Sequence, residues 1–290
     1  MANNNKVNLP SKIFMDGGDP QETAEAKRLL GHIDGQTTNP TLISKNPEIA
    51  KHIASGKRLT QEEAWHKYRE IVLEIAKITD GPISLEPYAN LKTPAEEIVY
   101  EAREMFTWIP HAVIKVPCTH EGLQAAEELK KEMRLNFTLN FSQEQAAAVY
   151  SASRGSHQLC FISPFVGRLD DRGENGMDLV KNELRMFEES DEHVQVLTAS
   201  VRNLQHLLYA LQLKSPLITV PFNVFKEWAD LDFLLPDKDW QYKPGDKKPI
   251  PYDEHLVLNK EWYEYNLQHE LTTAGVMKFA EDWDKLIEKS

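Results

Sequence analysis

Cysteine is scarce in these 290 residues: Cys118 and Cys160 are the whole supply, too few and too far apart for a disulfide framework or a thiolate metal cluster. The ten histidines show no metal-ligand spacing, and no Ser/His/Asp arrangement emerges from local sequence, so neither a metal nor a triad is expected. No stretch approaches the run of about 18 apolar residues that a membrane span requires. The opening MANNNKVNLPSK lacks the apolar core of a secretion signal, so a cytoplasmic protein with no membrane partner is expected. Positive charge is outweighed, with 33 Lys and Arg against 45 Asp and Glu and a net charge of -12, which argues against a nucleic-acid partner. A small anionic ligand remains compatible, because two arginines can dominate one pocket. No glycine-rich phosphate loop follows any apolar run.

What the chain does have is rhythm. Eight short, mostly apolar runs read as strands: Lys12–Met15, Ile33–Thr37, Pro82–Pro87, Ala112–Pro117, Arg134–Asn140, Gln158–Phe165, His193–Ser200 and Pro216–Pro221. Continuous apolar runs are typical of strands covered on both faces. Helical signals lie between them. Thr60 with Glu63 forms a capping box ahead of Ala64, Tyr68, Ile71, Val72, Ile75 and Ile78 on one face. Thr93-Pro94-Ala95-Glu96 reads as a helix start capped by Thr93, and Ser142 with Gln145 repeats the capping pattern. Gly176–Glu189, Val201–Leu213 and Thr272–Glu288 complete the helices. Eight alternating units predict an α/β fold closed into a (β/α)8 TIM barrel, residues 1–290 forming a single domain. Residues 229–268, rich in proline, acids and aromatics, break the period after the eighth strand and its short helix. They read as an irregular insertion before the C-terminal helix, packed through Trp240, Trp262 and its tyrosines.

Lys115 stands within the apolar AVIKVP. Burying an ammonium disfavours the charged form, and a free amine is a nucleophile toward carbonyls. The plainer alternative is a lysine guarding an edge strand with its head in water. Asp16 and Glu86 end the first and third runs, where the strand ends of a parallel barrel converge on one face and two carboxylates can move protons. Arg168 and Arg202 follow the sixth and seventh runs, with Ser200 beside Arg202 and a helix start next to them. That combination suits a phosphate, although Asp170 and Asp171 stand ready as surface partners. Asn39, Asn136 and Thr138 are polar residues at strand ends and singly say little, since turns use the same residues.

Together the stretches DGQTTNPTLISK (Asp34–Lys45), AVIKVPCTHEGLQAAEEL (Ala112–Leu129), NFTLNFS (Asn136–Ser142), ISPFVGRLDD (Ile162–Asp171), TASVRN (Thr198–Asn203) and HELTTAGVMKFAEDW (His269–Trp283) resemble the transaldolase family. The resemblance covers the chain apart from 229–268. It implies a metal-free, cofactor-free class I transferase of the pentose phosphate pathway, acting on sugar phosphates. A dihydroxyacetone unit from sedoheptulose 7-phosphate or fructose 6-phosphate would pass to an aldose phosphate through a Schiff base on Lys115.

On this resemblance Asp16 deprotonates the donor hydroxyl, Glu86 and Thr138 position the water, and Asn39 and Asn136, with Ser163 nearby, hold the dihydroxyacetone hydroxyls. Arg168, Ser200 and Arg202 hold the phosphate. Phe165 and Glu86 favour transfer over the related fructose-6-phosphate aldolases, which typically carry tyrosine and glutamine there. Release of free dihydroxyacetone, a modified ketose donor and a non-catalytic sugar-phosphate binder are the alternatives. A homo-oligomer is expected. Four departures stand out: Gly17-Gly18 after Asp16, Pro87 after Glu86, Asn140 at a usually apolar position, and the 229–268 segment.

Overall fold

The computed structural model describes residues 9–288; residues 1–8, read above as lacking a secretion signal, lie outside the described residues. Its strands are β1 (Lys12–Asp16), β2 (Gly35–Thr37), β3 (Ile83–Leu85), β4 (Ala112–Pro117), β5 (Leu135–Asn140), β6 (Cys160–Pro164), β7 (Val194–Thr198) and β8 (Leu217–Val220). They pair in parallel and in chain order, and β8 closes on β1 from Lys12 opposite Leu217 to Met15 opposite Val220. All eight expected strands are present in the expected (β/α)8 barrel; six are shorter than their apolar runs, β4 matches its run, and β1 extends one residue further to Asp16. Helices α1 (Pro20–Leu30), α2 (Pro40–Ser44), α3 (Pro47–Ala54), α4 (Gln61–Ala76), α5 (Ala95–Phe106), α6 (His120–Leu129) and α7 (Gln143–Ala152) cover the first half of the chain. The second half carries α8 (Val166–Asp170), α9 (Gly176–Phe187), α10 (Leu204–Gln212), α11 (Phe222–Ala229) and α12 (Glu270–Asp284). No helix among the described residues is long and apolar enough to cross a membrane.

Closure explains how apolar strands carry a site. Side chains alternate between the helical layer and the lumen. Phe14, Val113, Phe161, Leu197 and Leu217 fill the lumen as one buried cluster, with Phe14 and Phe161 edge to face at 6.1 Å. Gly35 makes space for this layer, because a Cβ there would lie 2.7 Å from the Phe14 ring. Two residues further along, the same alternation brings Asp16, Lys115, Ser163 and Thr219 to the C-terminal mouth.

Local signals hold unevenly. Thr60 and Glu63 form the reciprocal capping box. Thr93 does not cap α5: the extended Pro94 precedes the first helical residue, and Thr93 Oγ1 instead accepts from the Asn90 amide at 3.0 Å. Ser142 caps α7, but the Gln145 carboxamide accepts from Phe141 N (2.8 Å) and donates to Thr272 Oγ1 (2.8 Å), tying α12 to the end of β5. The helix expected from Val201 starts at Leu204, because Ser200 takes a left-handed conformation (φ 58°) and Asn203 caps the His206 amide. Ser200–Asn203 is thereby a loop facing the mouth.

Residues 230–261 contain no helix or strand and run along the outer helical layer. Tyr242 stacks on Tyr209 of α10 (4.4 Å, 5° between planes), Lys248 bridges to Glu174, and the Ile250 amide donates to Asp178 on α9. Further on, two α7 side chains hold the strap: Gln143 accepts from the Asp253 amide, and Ser151 Oγ donates to Lys260 O. Trp262 is buried against His120. The expectation that these aromatics pack is met. The strap delivers α12 to the barrel mouth, where Thr41 of α2 donates to Asp282 at 2.6 Å.

Asn140 also finds a partner. Its Nδ2 donates to Glu183 Oε1 on α9, both residues fully buried, while Asn140 Oδ1 and Glu183 Oε2 have no protein partner. Burial pushes the Glu183 carboxyl well above its ordinary 4.5, and a protonated Oε2 donating to Asn140 Oδ1 would satisfy both. The folded state then holds a proton that the unfolded chain releases above 4.5. The stability from this pair is full below that pH and is lost as pH rises toward the folded value. Glu183→Gln, which supplies the donor at every pH, should raise stability at pH 8 by roughly 1–3 kcal/mol and change it far less at pH 5. Thermal denaturation across this range is the check, and a pH-independent difference would refute the acid–amide pair.

Candidate active site

Lys115 faces the lumen with 3% of its side chain exposed, and Nζ lies 3.2 Å from Glu86 Oε2 and 3.2 Å from the Thr38 carbonyl. A closed barrel has no edge, so the edge-strand reading of this lysine fails. Phe165 and Phe279 flank the amine, their ring centroids 5.8 and 5.9 Å from Nζ. The Glu86 backbone N–H donates to the Tyr68 hydroxyl (3.0 Å), which donates in turn to Thr38 Oγ1 (2.7 Å) and so to Ser84 O. This chain anchors the backbone where Pro87 follows, and the Glu86 carboxyl points at Lys115. On the other side, Thr219 donates to Thr37 (2.6 Å) and Thr37 Oγ1 to Asp16 Oδ1 (2.7 Å). Gly17-Gly18 has a packing reason: a Cβ on Gly18 would stand 2.5 Å from Leu42 O, and Gln36 holds the Gly17 carbonyl at 2.8 Å.

Both carboxyls are shifted upward. Burial raises Asp16, opposed by Lys115 and the Thr37 hydrogen bond. Burial likewise raises Glu86, opposed by Lys115 and, more weakly, Arg168. Each is therefore a better proton acceptor near neutrality than an exposed carboxylate.

A cavity of about 390 Å³ opens above these groups. Of the eleven residues singled out by sequence, Asp16, Asn39, Lys115, Ser163, Phe165, Arg168, Ser200 and Arg202 line it. The other three, Glu86, Asn136 and Thr138, are buried and do not line it. Asn136 donates to Ser84 Oγ (3.0 Å) and accepts from Ser163 Oγ (2.7 Å), and the buried Thr138 hydroxyl has no protein partner. Asn39 serves two ends, because its Oδ1 caps α2 through the Leu42 amide (2.9 Å) while the side chain borders the cavity.

Arg202 ion-pairs with Asp171 at 3.1 Å, as the surface reading allowed. Arg168 does not follow that reading: among the described residues no acid or hydrogen-bond acceptor meets its guanidinium, which packs against Phe165 (5.3 Å) and Phe279 (5.1 Å). Burial, and then the neighbouring Arg202, lower its pKa. Gly167 and Gly275 make this crowding feasible, since a Cβ would fall 2.4 Å from Arg202 Nε and 2.5 Å from Arg168 Nη1 respectively. Two adjacent guanidiniums, one with no ion-pair partner among the described residues, have the chemistry to receive an anion. Among the described residues no three His, Cys, Asp or Glu side chains are grouped as a metal site would require.

Sequence reading missed Phe279, Tyr68, Thr37, Thr219 and Lys45, the last an exposed cavity-lining lysine with no ion pair among the described residues. Thr37 and Thr219 were traceable in principle, each two residues beyond a lumen position. Phe279 and Tyr68 come from α12 and α4, and no local pattern points them inward.

An uncompensated guanidinium costs stability that an anion restores. Inorganic phosphate should raise the melting temperature of the parent protein, and Arg168→Met should abolish that rise while raising stability in phosphate-free buffer by about 1 kcal/mol. An equal phosphate response in both would remove the anion-receptor assignment.

Comparison with known proteins agrees with this geometry. Residues 13–290 match the family model described as Transaldolase/Fructose-6-phosphate aldolase. A protein of Thermoplasma volcanium named "Probable transaldolase" is 40% identical over 276 residues, covering 95% of this chain and 96% of its own. One of Herpetosiphon aurantiacus with the same name is 36% identical over 241 residues, covering 80% of this chain and 96% of its own. With the motifs, the barrel and the lumen lysine on one scaffold, the chain belongs to the transaldolase/fructose-6-phosphate aldolase family.

Proposed function

We propose that this chain is a transaldolase that moves a dihydroxyacetone unit from a ketose phosphate, sedoheptulose 7-phosphate or fructose 6-phosphate, to an aldose phosphate. The observation that carries the reading is the Lys115 amine, buried in the lumen 3.2 Å from Glu86 and facing the same cavity as Asp16 and two arginines.

Glu86 takes a proton from the Lys115 ammonium, and the amine adds to the C2 carbonyl of the donor. Glu86 then returns a proton to the carbinolamine hydroxyl, which leaves as water and gives the iminium; the unpartnered Thr138 hydroxyl is the group that holds that water. Asp16 removes the proton from the C4 hydroxyl. The C3–C4 bond breaks, its electron pair flows into the iminium, and an enamine and an aldose phosphate result. The enamine attacks an acceptor aldehyde while Asp16 gives its proton to the forming hydroxyl, and water with Glu86 reverses the first steps. Asn39, Asn136 and Ser163 orient the three-carbon unit, and Arg168, Ser200 and Arg202 anchor the phosphate, converting remote binding into alignment. Phe165 and Phe279 restrict water around the enamine, which favours transfer over hydrolytic release.

Borohydride trapping with fructose 6-phosphate, read by peptide mass, tests the reading. A reduced three-carbon adduct on Lys115 that erythrose 4-phosphate discharges into sedoheptulose 7-phosphate is expected, and Lys115→Ala should form none. Discharge only to free dihydroxyacetone would replace the transferase by a lyase. Glu86→Gln should slow adduct formation by about 10²–10⁴-fold without altering phosphate affinity. Because burial raises Asp16, the acid limb of kcat/KM should lie above the ordinary 3.8, activity falling as that carboxylate gains its proton.

A further inference from the structure

The loop that carries Arg202 is fastened from behind. His206, one turn along at the start of α10 and only 2% exposed, accepts the Arg202 backbone N–H on Nδ1 at 3.3 Å. Its Nε2 therefore carries the ring proton and donates to Asp170 Oδ2 at 2.9 Å. Asp170 lies at the end of α8, two residues beyond Arg168, and its other oxygen accepts from the Gly176 amide at 3.0 Å. Beyond Asp170 stands the strap: Lys247 Nζ is 3.3 Å from the same Oδ2, and the Tyr242 ring is tilted beside that of His206, their centroids 6.4 Å apart. The strap is pinned here by backbone bonds between Lys248 and both Gly173 (2.8 Å) and Asn175 (2.7 Å), and by Tyr242 Oη on Asn175 (3.2 Å).

We propose that Lys247, Asp170 and His206 are positioning residues for the anion site, and that through them the 230–261 strap sets how firmly Arg202 and Arg168 are presented to a phosphate. The inference rests on the reading of those arginines as the phosphate anchor. Asp170 is the pivot. It fixes the imidazole that holds the Arg202 amide, and it sits on the short helix that carries Arg168. Lys247 pairs with it and offsets its charge behind the site. Without Lys247 the net charge behind the site falls by one, and without His206 the left-handed Ser200–Arg202 turn loses its tether. The strap thus acts on substrate recognition from outside the cavity, with no residue over the mouth.

Titration calorimetry with inorganic phosphate tests this without turnover. Lys247→Met should weaken phosphate binding by about fivefold and His206→Gln by about tenfold, the scale of lost supporting contacts. His206→Asn, whose Oδ1 stands near the position of Nδ1, should fall between parent and His206→Gln. Trapping of unphosphorylated dihydroxyacetone on Lys115 should keep the parental rate in all three. Parental phosphate affinity in both Lys247→Met and His206→Gln, or an equal loss of phosphate binding and trapping, would overturn the positioning chain. So would a parent protein that binds no phosphate. Weakened phosphate binding in variants that still melt cooperatively, combined with no sugar adduct in any protein, would uphold the chain and overturn the transaldolase reading instead.

Discussion

Lumen-facing side chains every second residue on eight strands, with no free edge among them, are the constraint from which the rest of this molecule follows. The first lumen layer is aromatic and aliphatic, Phe14, Val113, Phe161, Leu197 and Leu217, and its burial contributes about 1.5–3 kcal/mol per large side chain. The next layer on the same strands is polar, with Asp16, Lys115, Ser163 and Thr219. Parallel pairing sends every one of them to the same end. A register slip of one residue on β4 would turn Lys115 into the helical layer, where a charge has no partner.

Inside that mouth the electrostatics are deliberately incomplete. Lys115 and Glu86 compensate one another in a dry setting, and Asp16 is held by a threonine relay. Arg168 is given aromatic rings and, among the described residues, no ion-pair partner. A half-buried guanidinium of that kind is costly to stability; the absent Cβ at Gly275 leaves it room, and Phe165 and Phe279 flank it. On the proposed function, an anion bound there would return the stability forgone.

The region outside the barrel matters through its two ends. The strap carries the chain around α10, α9 and α7 and hands α12 to the mouth, bringing Phe279 against Lys115. Midway it sets Lys247 against Asp170. A single irregular segment therefore bears on both ends of the cavity from outside it, by leading into α12 at the amine and by pairing with Asp170 behind the arginines.

Much of this was legible in the sequence. The two periods, apolar runs against helical faces, determined eight strands and their alternation with helices, because burial on both sides leaves a direct mark on residue choice. Lys115 was visible as a charged residue within an apolar run, and Asp16, Glu86 and the arginine pair as charged residues at or after the ends of such runs. Tertiary structure alone decided the remainder. Thr93 looked like a cap and became a turn, since local signals yield to the backbone around them. Asn140 looked like a departure and proved to be half of a buried pair with Glu183, 43 residues away. Phe279, Tyr68 and Lys247 reach the site from distant elements, and a side chain's direction across such distances is set by packing and closure, which no local spacing encodes.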